Sequence, residues 1–556
     1  MESNIIILIV GVIVALIIKS VFDTINDKKK LVNRLRNDWG VYPDYEYIPG
    51  KLESIKTFYE FNKNDYDIDD ITWNDLNMDE LYKLLNHTES AMGEEALYNM
   101  LRKPLFNPDD ILYRDKIISY YFENIEKRIE LQSVIARIGK NHKISFFEYF
   151  NRLNDVKREK NFSHYLIILI WLIDIIYLFI KPDISVIITL CNVIFSIGMY
   201  YRRKMQIEMY YSCINFLLRM LYSAKNLTKI KDNIIKNEID SLKNSYNRLK
   251  GIQRNSGIVL NPNGGNLIDI IIDYFRMFTH IDLIKFNNMI KIVDNNRDDI
   301  VNIHSIIGTI DSYIAIASFR KMQERFFWCT PTIDNDAKSF DVENLYHPFL
   351  EMPVYNSFNS DKCALITGSN ASGKSTFLKA IALSAIMAQT IATVTAKSYN
   401  AKCYRIMTSM ALNDTIFDNK SYFIVEIDSL KRIIDVINDF PVLCCIDEVL
   451  RGTNTIERIA ASGQILKYLA DNNVMCFAAT HDIELARILN NHFDNYYFRE
   501  QIIDDNIVFD YKLNNGSSIT RNAINLLNML GFNSSIVNGA RKNADYFEEN
   551  GVWKII

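Results

Sequence analysis

A glycine-rich loop between an apolar strand and an apolar helix constrains the fold of this chain more than any other feature. The segment Lys362–Leu383 has the sequence KCALITGSNASGKSTFLKAIAL. The run Cys363–Thr367 predicts a buried strand, and the residues after Lys374 predict a helix. Between them, Gly368 and Gly373 let consecutive backbone N–H groups and the helix N-terminus point at a phosphate group. The sequence therefore predicts an α/β domain with a phosphate-binding site at the end of this strand.

The spacing of this loop also assigns roles to its residues. In loops of the form G-x-x-x-x-G-K-[ST], the lysine reaches the β- and γ-phosphates and the following hydroxyl is a Mg²⁺ ligand. These residues are Lys374 and Ser375 in this chain. We therefore predict a nucleoside triphosphate and Mg²⁺ as ligands, with the nucleotide held by Gly368, Asn370, Gly373, Lys374, Ser375 and Thr376.

Acidic residues follow a second apolar strand, at residues 441–446. Asp447 is predicted to hold Mg²⁺ through its water shell, and Glu448 is predicted to orient or deprotonate the attacking water. A third apolar strand, Val474–Ala479, is followed closely by His481. An isolated histidine would be interpreted as a surface turn residue. His481, however, is expected at the same edge of the sheet as the glycine-rich loop, where it could sense the γ-phosphate.

Three apolar runs predict membrane segments. Residues 4–22 carry one charge, Lys19, and residues 164–180 and 184–201 form a pair of runs joined by Lys-Pro-Asp. Each run approaches the length needed to cross the hydrocarbon core as a helix. A cleaved signal peptide is the alternative for the first run, but no basic residue precedes it and no small-residue cleavage site follows. For the pair, the alternative is two buried core helices.

The charges that flank these runs favour the membrane interpretation. Lysine and arginine cluster at 28–36, 157–160 and 202–204, which is the side of each run that the positive-inside rule assigns to the cytoplasm. We therefore expect a multi-pass protein of a bacterial cell membrane, with its lipid-bilayer contacts in these runs and the ATPase domain in the cytoplasm. Asp174 lies within a span, where we expect a buried structural hydrogen bond rather than a proton-linked role.

The composition narrows the remaining function classes. The net charge is −4, so the chain as a whole has no basic field to attract nucleic acid, and DNA contacts would come from a local patch. The eight cysteines include no C-x-x-C pair, which argues against a zinc ribbon or a disulfide framework. The predicted segments are 1–22 anchor, 23–70 juxtamembrane linker, 71–162 first helical region, 163–204 transmembrane hairpin, 205–335 second helical region, 336–515 α/β nucleotide-binding domain and 516–556 C-terminal helical segment.

From His347 to Phe547 the chain resembles the ATPase domain of the MutS family of ABC-type ATPases. The loop ITGSNASGKST is similar to the family loop ITGPNMGGKST, with departures at Ser369, Ala371 and Ser372. The run IDEVLRGTNT is similar to the family signature D-E-x-x-R-G-T-x-T, which transporter ATPases lack, and AATHD is similar to the family's A-T-H switch.

The resemblance implies further roles. The segment Ser421–Glu426 is similar to the family segment S-T-F-M-V-E, which implies that Ser421 reaches the γ-phosphate bound by a partner subunit. Residues 516–543 resemble the helical segment through which these ATPases dimerise. The family therefore implies ATP and Mg²⁺ as cofactors and a homodimer through the ATPase domain. The implied catalytic residues are Glu448, His481 and Ser421, and the implied metal ligands are Ser375 and Asp447.

A weaker resemblance extends upstream. Residues 75–105 look like the start of the MutS helical core, so the helices of 205–330 would be the levers that join this core to the ATPase domain. MutS proteins that recognise mismatches carry an N-terminal domain that presents a Phe and a Glu to the distorted base pair. Only residues 23–70 lie between the anchor and the core, so we expect no room for that domain.

The expected fold is an α/β P-loop ATPase domain of the ABC type joined to an all-α core and lever domain with transmembrane helices. The expected function is Mg-ATP binding and hydrolysis by a membrane-anchored dimer, coupled to double-stranded or branched DNA near the membrane. Two alternatives have no DNA role. A transport ATPase would need an LSGGQ segment before Asp447, which is absent. The retention of Lys374, Asp447, Glu448 and His481 together argues against a non-hydrolysing, ATP-gated scaffold.

Overall fold

The computed structural model describes residues 2–141, 143–259, 274–369, 372–410, 422–450, 453–503, 506–517, 524, 527 and 531–555. The chain divides into two compact units. The first unit contains residues 1–63, 84–100 and 116–322, and the second contains 64–83, 101–115 and 323–556.

Helices dominate the described chain up to Gln323, which confirms the helical content expected from the sequence. They are α1 Glu2–Asn37, α2 Lys51–Phe61, α3 Asp70–Asp75, α4 Met78–Leu85, α5 Ala91–Arg102, α6 Pro108–Glu123, α7 Ile125–Ile135, α8 Phe146–Arg152, α9 Phe162–Leu178, α10 Pro182–Ile207, α11 Tyr211–Leu227, α12 Lys236–Val259, α13 Ile281–Asn295 and α14 Arg297–Gln323.

Strands and helices alternate after residue 331, as expected for an α/β domain. The strands are β1 Thr332–Ile333, β2 Phe340–Leu345, β3 Asn356–Ser360, β4 Cys363–Thr367, β5 Ser398–Ala401, β6 Arg405–Ser409, β7 Val442–Asp447, β8 Val474–Thr480, β9 Phe493–Ile503 and β10 Asn506–Asn515. The helices are α15 Lys374–Ile391, α16 Tyr422–Ile434, α17 Thr455–Ala470, α18 Ile483–Ile488 and α19 Ser534–Asn550.

The central sheet positions the predicted site residues. Its strand order is β10-β9-β4-β8-β7-β6, and all neighbours are parallel except the antiparallel pair β9 and β10. All residues of β4 and β8 are buried, which explains why these strands are continuous apolar runs rather than alternating ones. The register pairs Thr367 with Thr480 and Asp447 with Ala479, so the ends of β4, β8 and β7 lie side by side.

A second, smaller sheet has the strand order β1-β5-β2-β3. Strands β2 and β3 are antiparallel and enclose the segment 346–355, which contributes one wall of the candidate site described below. Strand β2 also pairs antiparallel with β5, while β1 and β5 are parallel. This sheet therefore fixes a loop whose position the sequence did not predict.

The predicted hairpin forms two helices, α9 and α10, with Pro182 at the first position of the second helix. Two helical stretches of the described residues are long and apolar enough to cross a membrane, 182–227 and 297–323. Only 22% of the most apolar window of the first stretch is buried, against 67% for the second, which is the burial expected of a core helix. The helix α9 is apolar but shorter.

The two helices of the hairpin share a buried polar contact. Asp174 is 4% exposed and accepts hydrogen bonds from Ser185 Oγ at 3.1 Å and Thr189 Oγ1 at 2.8 Å. This is the structural hydrogen bond expected for Asp174. On the outer side, apolar residues such as Ile176 and Ile194 are 61% and 72% exposed.

The segment 23–70, predicted as a linker, is partly helical. It contains the end of α1 and the whole of α2, whose side chains Ile55, Phe58 and Tyr59 are buried. These three positions share one helix face, because residues three and four apart are neighbours on a helix. Their short run among polar residues gave too little periodicity for a helix to be predicted.

Candidate functional site

A cavity of about 900 Å³ opens at the carboxyl ends of the central strands. The loop before α15 and the first turn of that helix form its floor. The end of β7 forms one side, and the segment after β2 forms another. The site residues predicted from the sequence that line it are Gly373, Lys374, Ser375, Thr376, Asp447 and Glu448.

The glycine-rich loop has the backbone conformation that its glycines allow. Gly368 has φ 149° and Gly373 has φ 105°, both in the region that side chains with a Cβ rarely adopt. A Cβ on Gly368 would lie 2.9 Å from the carbonyl oxygen of Phe498. The Lys374 ammonium donates hydrogen bonds to the carbonyl oxygens of Gly368 at 2.8 Å and Ser369 at 2.6 Å. The lysine must release these contacts to reach a phosphate.

The two acids lie at the end of β7 in different backbone conformations. Asp447 is the last residue of the strand, and Glu448 has φ 62°, a strained value for a residue with a side chain. The backbone N–H of Glu448 donates to the carbonyl oxygen of Ala479 at 3.0 Å. The Glu448 carboxylate pairs with His481 Nε2 at 2.7 Å, so the predicted base and the predicted sensor are in direct contact.

An ion pair supports the turn that carries this histidine. Arg458 donates from Nε and Nη2 to the two carboxylate oxygens of Asp482, at 2.9 and 2.7 Å. Asp482 is the N-cap of α18, yet its side chain makes no capping hydrogen bond. Both oxygens of the Asp482 carboxylate therefore accept from Arg458. This ion pair joins α17 to the residue that follows His481.

Aromatic rings form part of the cavity wall. Burial lowers the pKa of His347 to about 4, with a smaller effect from Lys379, so this ring is neutral at pH 7. Tyr511, in β10, also lines the cavity and is 45% exposed, and a Cβ on Gly373 would lie 3.1 Å from its ring. An exposed ring next to the phosphate loop offers a stacking surface for a planar base.

The resemblance to the MutS ATPase domain leaves the base-stacking position open between Val354 and Tyr355. Val354 lines the cavity. Tyr355 instead packs against Phe327 and Tyr346, with ring centroids 5.0 and 5.9 Å apart. Val354, the candidate that lies beside the cavity, has no aromatic ring to stack on a base.

The structure brings most of the predicted site residues together. Gly368 and His481 join the cavity residues through their contacts with Lys374 and Glu448. Asn370 and Ser421 lie outside the described residues, so their roles stay predictions. Sequence reasoning missed Phe498 and Tyr511, which line the cavity from β9 and β10.

The oxygen donors of the cavity fit Mg²⁺. Ser375 and Asp447 both line it, and this ion binds one or two protein oxygens together with waters and phosphate oxygens. Among the described residues no group of three His, Cys, Asp or Glu side chains could hold a metal ion. These residues therefore fit an ion that arrives with a nucleotide rather than a permanent protein-only site.

Comparison with known proteins relates the region around this site to a known domain family. Residues 364–548 match the family model of MutS domain V. This α/β domain belongs to the MutS family. MutS-family relatives include the DNA mismatch repair protein MutS of Finegoldia magna, which is 24% identical over 512 residues covering 83% of this chain and 59% of the relative. The Lactobacillus acidophilus protein of the same name is 24% identical over 536 residues, covering 85% and 61%.

A shorter match has a higher identity. MutS of Clostridium botulinum is 28% identical over 298 residues, which cover 51% of this chain and 30% of the relative. The chain thus spans about three fifths of the length of the first two relatives. The domain V match, residues 364–548, includes the glycine-rich loop, Asp447, Glu448 and His481.

Proposed function

We propose that this chain is a Mg²⁺-dependent ATPase of the MutS type that is anchored in a membrane. The observation that carries this proposal is the convergence of Lys374, Ser375, Asp447 and Glu448 on one cavity. A phosphate loop alone would support nucleotide binding. The addition of two acids at the end of a neighbouring strand supports cleavage of the nucleotide as well.

In the proposed reaction the chain acts mainly by positioning and by charge neutralisation. Lys374 and the N–H groups at the start of α15 bind the phosphates. Ser375 and Asp447 would hold Mg²⁺, which would neutralise part of the phosphate charge. Glu448 holds the attacking water and accepts its proton, and the water oxygen bonds to the γ-phosphorus as the bond to the ADP oxygen breaks.

His481 has a proposed positioning role. Its contact with one oxygen of the Glu448 carboxylate limits the orientations in which this carboxylate can bind a water. We infer that His481 orients this carboxylate until a γ-phosphate is present. The strained backbone of Glu448 also favours a functional constraint at this position.

ATP hydrolysis by the full chain in detergent tests this proposal. Glu448→Gln should lower kcat at least a hundredfold with ATP still bound, because a positioned base contributes about 10²–10⁴-fold. Glu484→Gln is the matched control, since Glu484 is an exposed acid on the neighbouring helix and lies outside the cavity. Equal kcat for the wild type and Glu448→Gln would contradict the assigned role.

We propose duplex DNA as a ligand and a second copy of this chain as the partner. The support is the family membership and the similarity to relatives named DNA mismatch repair protein MutS. Binding of matched and mismatched duplexes by the full chain across a salt series tests it, because phosphate contacts give a steep salt dependence. Absence of DNA binding with retained ATPase activity would favour a membrane ATPase with no DNA role.

We propose that α9 and α10 cross the membrane as a hairpin. Their support is the exposed apolar surface and the basic clusters on both flanks. A cysteine introduced at Lys181, at the hairpin tip, should react with a charged maleimide from outside intact cells. A cysteine at Lys225 should react only after permeabilisation. Reaction of both cysteines only after permeabilisation would contradict this topology.

A further inference from the structure

Ser372, in the glycine-rich loop, carries a buried hydroxyl that has no hydrogen-bond partner among the described residues. The residue is 1% exposed and lines the nucleotide cavity. Most buried hydroxyls in proteins are paired, because burying one without a partner costs free energy. Ser384, further along α15, follows this rule, since its buried hydroxyl donates to the carbonyl oxygen of Ile381 at 2.6 Å.

The hydroxyl points into the loop rather than away from it. Ser372 Oγ lies 3.0 Å from the position that a Cβ on Gly368 would occupy. The carbonyl oxygen of Gly368 is also one of the two that hold the Lys374 ammonium. The unpaired Ser372 hydroxyl and the Lys374 ammonium therefore both lie close to Gly368, at the N-terminus of an 18-residue helix.

We propose that Ser372 Oγ donates a hydrogen bond to a phosphate oxygen of the bound nucleotide. This inference rests on the proposed function. A phosphate supplies acceptors only, and the positive end of α15 favours an anion at this point. The MutS loop to which this one is similar has glycine here, so the hydroxyl adds a phosphate ligand that the backbone alone does not provide.

The test compares Ser372→Ala with Ser384→Ala in the full chain. ADP is the probe, with binding measured by calorimetry and unfolding by thermal melts with and without ligand. Ser372→Ala should weaken ADP binding about tenfold or more, the loss expected for a hydrogen bond to a charged group. It should leave the melting temperature of the unliganded protein equal or higher, because it removes an unpaired buried hydroxyl. Ser384→Ala should bind ADP as the wild type does.

A third variant distinguishes a phosphate ligand from a metal ligand. The loss caused by Ser372→Ala should be the same with Mg²⁺ and with a chelator present. The loss caused by Ser375→Ala should require Mg²⁺, because that hydroxyl acts through the ion.

The remaining outcomes distinguish failure of the proposed function from failure of the role of Ser372. A wild-type chain that binds no ADP rejects the proposed function itself. A wild type that binds ADP, with an equal affinity for Ser372→Ala, rejects only the role of Ser372. Equal weakening by Ser384→Ala would attribute the loss to damage of α15 and would overturn the inference in the same way.

Discussion

The ion pair between Arg458 and Asp482 gives the sharpest prediction about the turn that carries His481. Two N–H···O contacts of 2.9 and 2.7 Å join the side chains, which are 25% and 14% exposed. A pair with this geometry and partial burial contributes about 1–2 kcal/mol, between an exposed ion pair and a desolvated one. If it holds His481 in the active arrangement, its loss should lower kcat about tenfold, since each 1.4 kcal/mol of barrier is a factor of ten.

A double-mutant cycle on ATP hydrolysis measures this effect. Arg458→Ala, Asp482→Ala and the double variant should each lower kcat to a similar extent, because each side chain is the hydrogen-bond partner of the other. The KM for ATP should change little, since neither residue lines the cavity. Independent losses that multiply in the double variant, or an unchanged kcat in both single variants, would refute the positioning role.

Further predictions concern the base-binding wall, a buried acid and a tight helix contact. Tyr511→Ala should weaken ATP binding about fivefold to tenfold through loss of a stacking surface, measured by calorimetry. Burial raises the pKa of Asp311 to about 7, so its contribution to stability is complete below about pH 4 and is lost as the pH rises through 7. Asp311→Asn should remove that slope from the melting temperature. Gly308→Ala should lower the melting temperature, because its Cβ would lie 2.5 Å from the Met92 carbonyl oxygen, whereas Gly539→Ala should not, since its Cβ meets nothing within 4 Å.

The elements predicted most accurately are those whose whole length is apolar. The strand Cys363–Thr367 has the predicted bounds, and the strand from Val474 extends by one residue to Thr480. Such runs are buried on both faces, so their limits are set locally by the glycine or polar residue that follows. The predicted hairpin is likewise helical over its two apolar runs, with its turn at residues 179–181.

Long-range pairing determines the features that the sequence did not reveal. Tyr511 reaches the cavity only because β10 pairs antiparallel with β9, which in turn lies against β4. The burial of the Ser372 hydroxyl without a partner likewise depends on the fold around it. For β2 and β3, mixed polar composition concealed the strands that fix the wall segment at Val354.

The central claim is that this cavity binds an adenine nucleotide through Lys374. The most direct measurement is retention of labelled ATP by the detergent-solubilised full chain with Mg²⁺, compared with Lys374→Ala after thermal melts have established that the variant is folded. The account predicts stoichiometric binding by the wild type and at least a hundredfold weaker binding by the variant, because the lysine is the main protein charge facing the phosphates. No retention by the wild type, or equal retention by a folded variant, would contradict it.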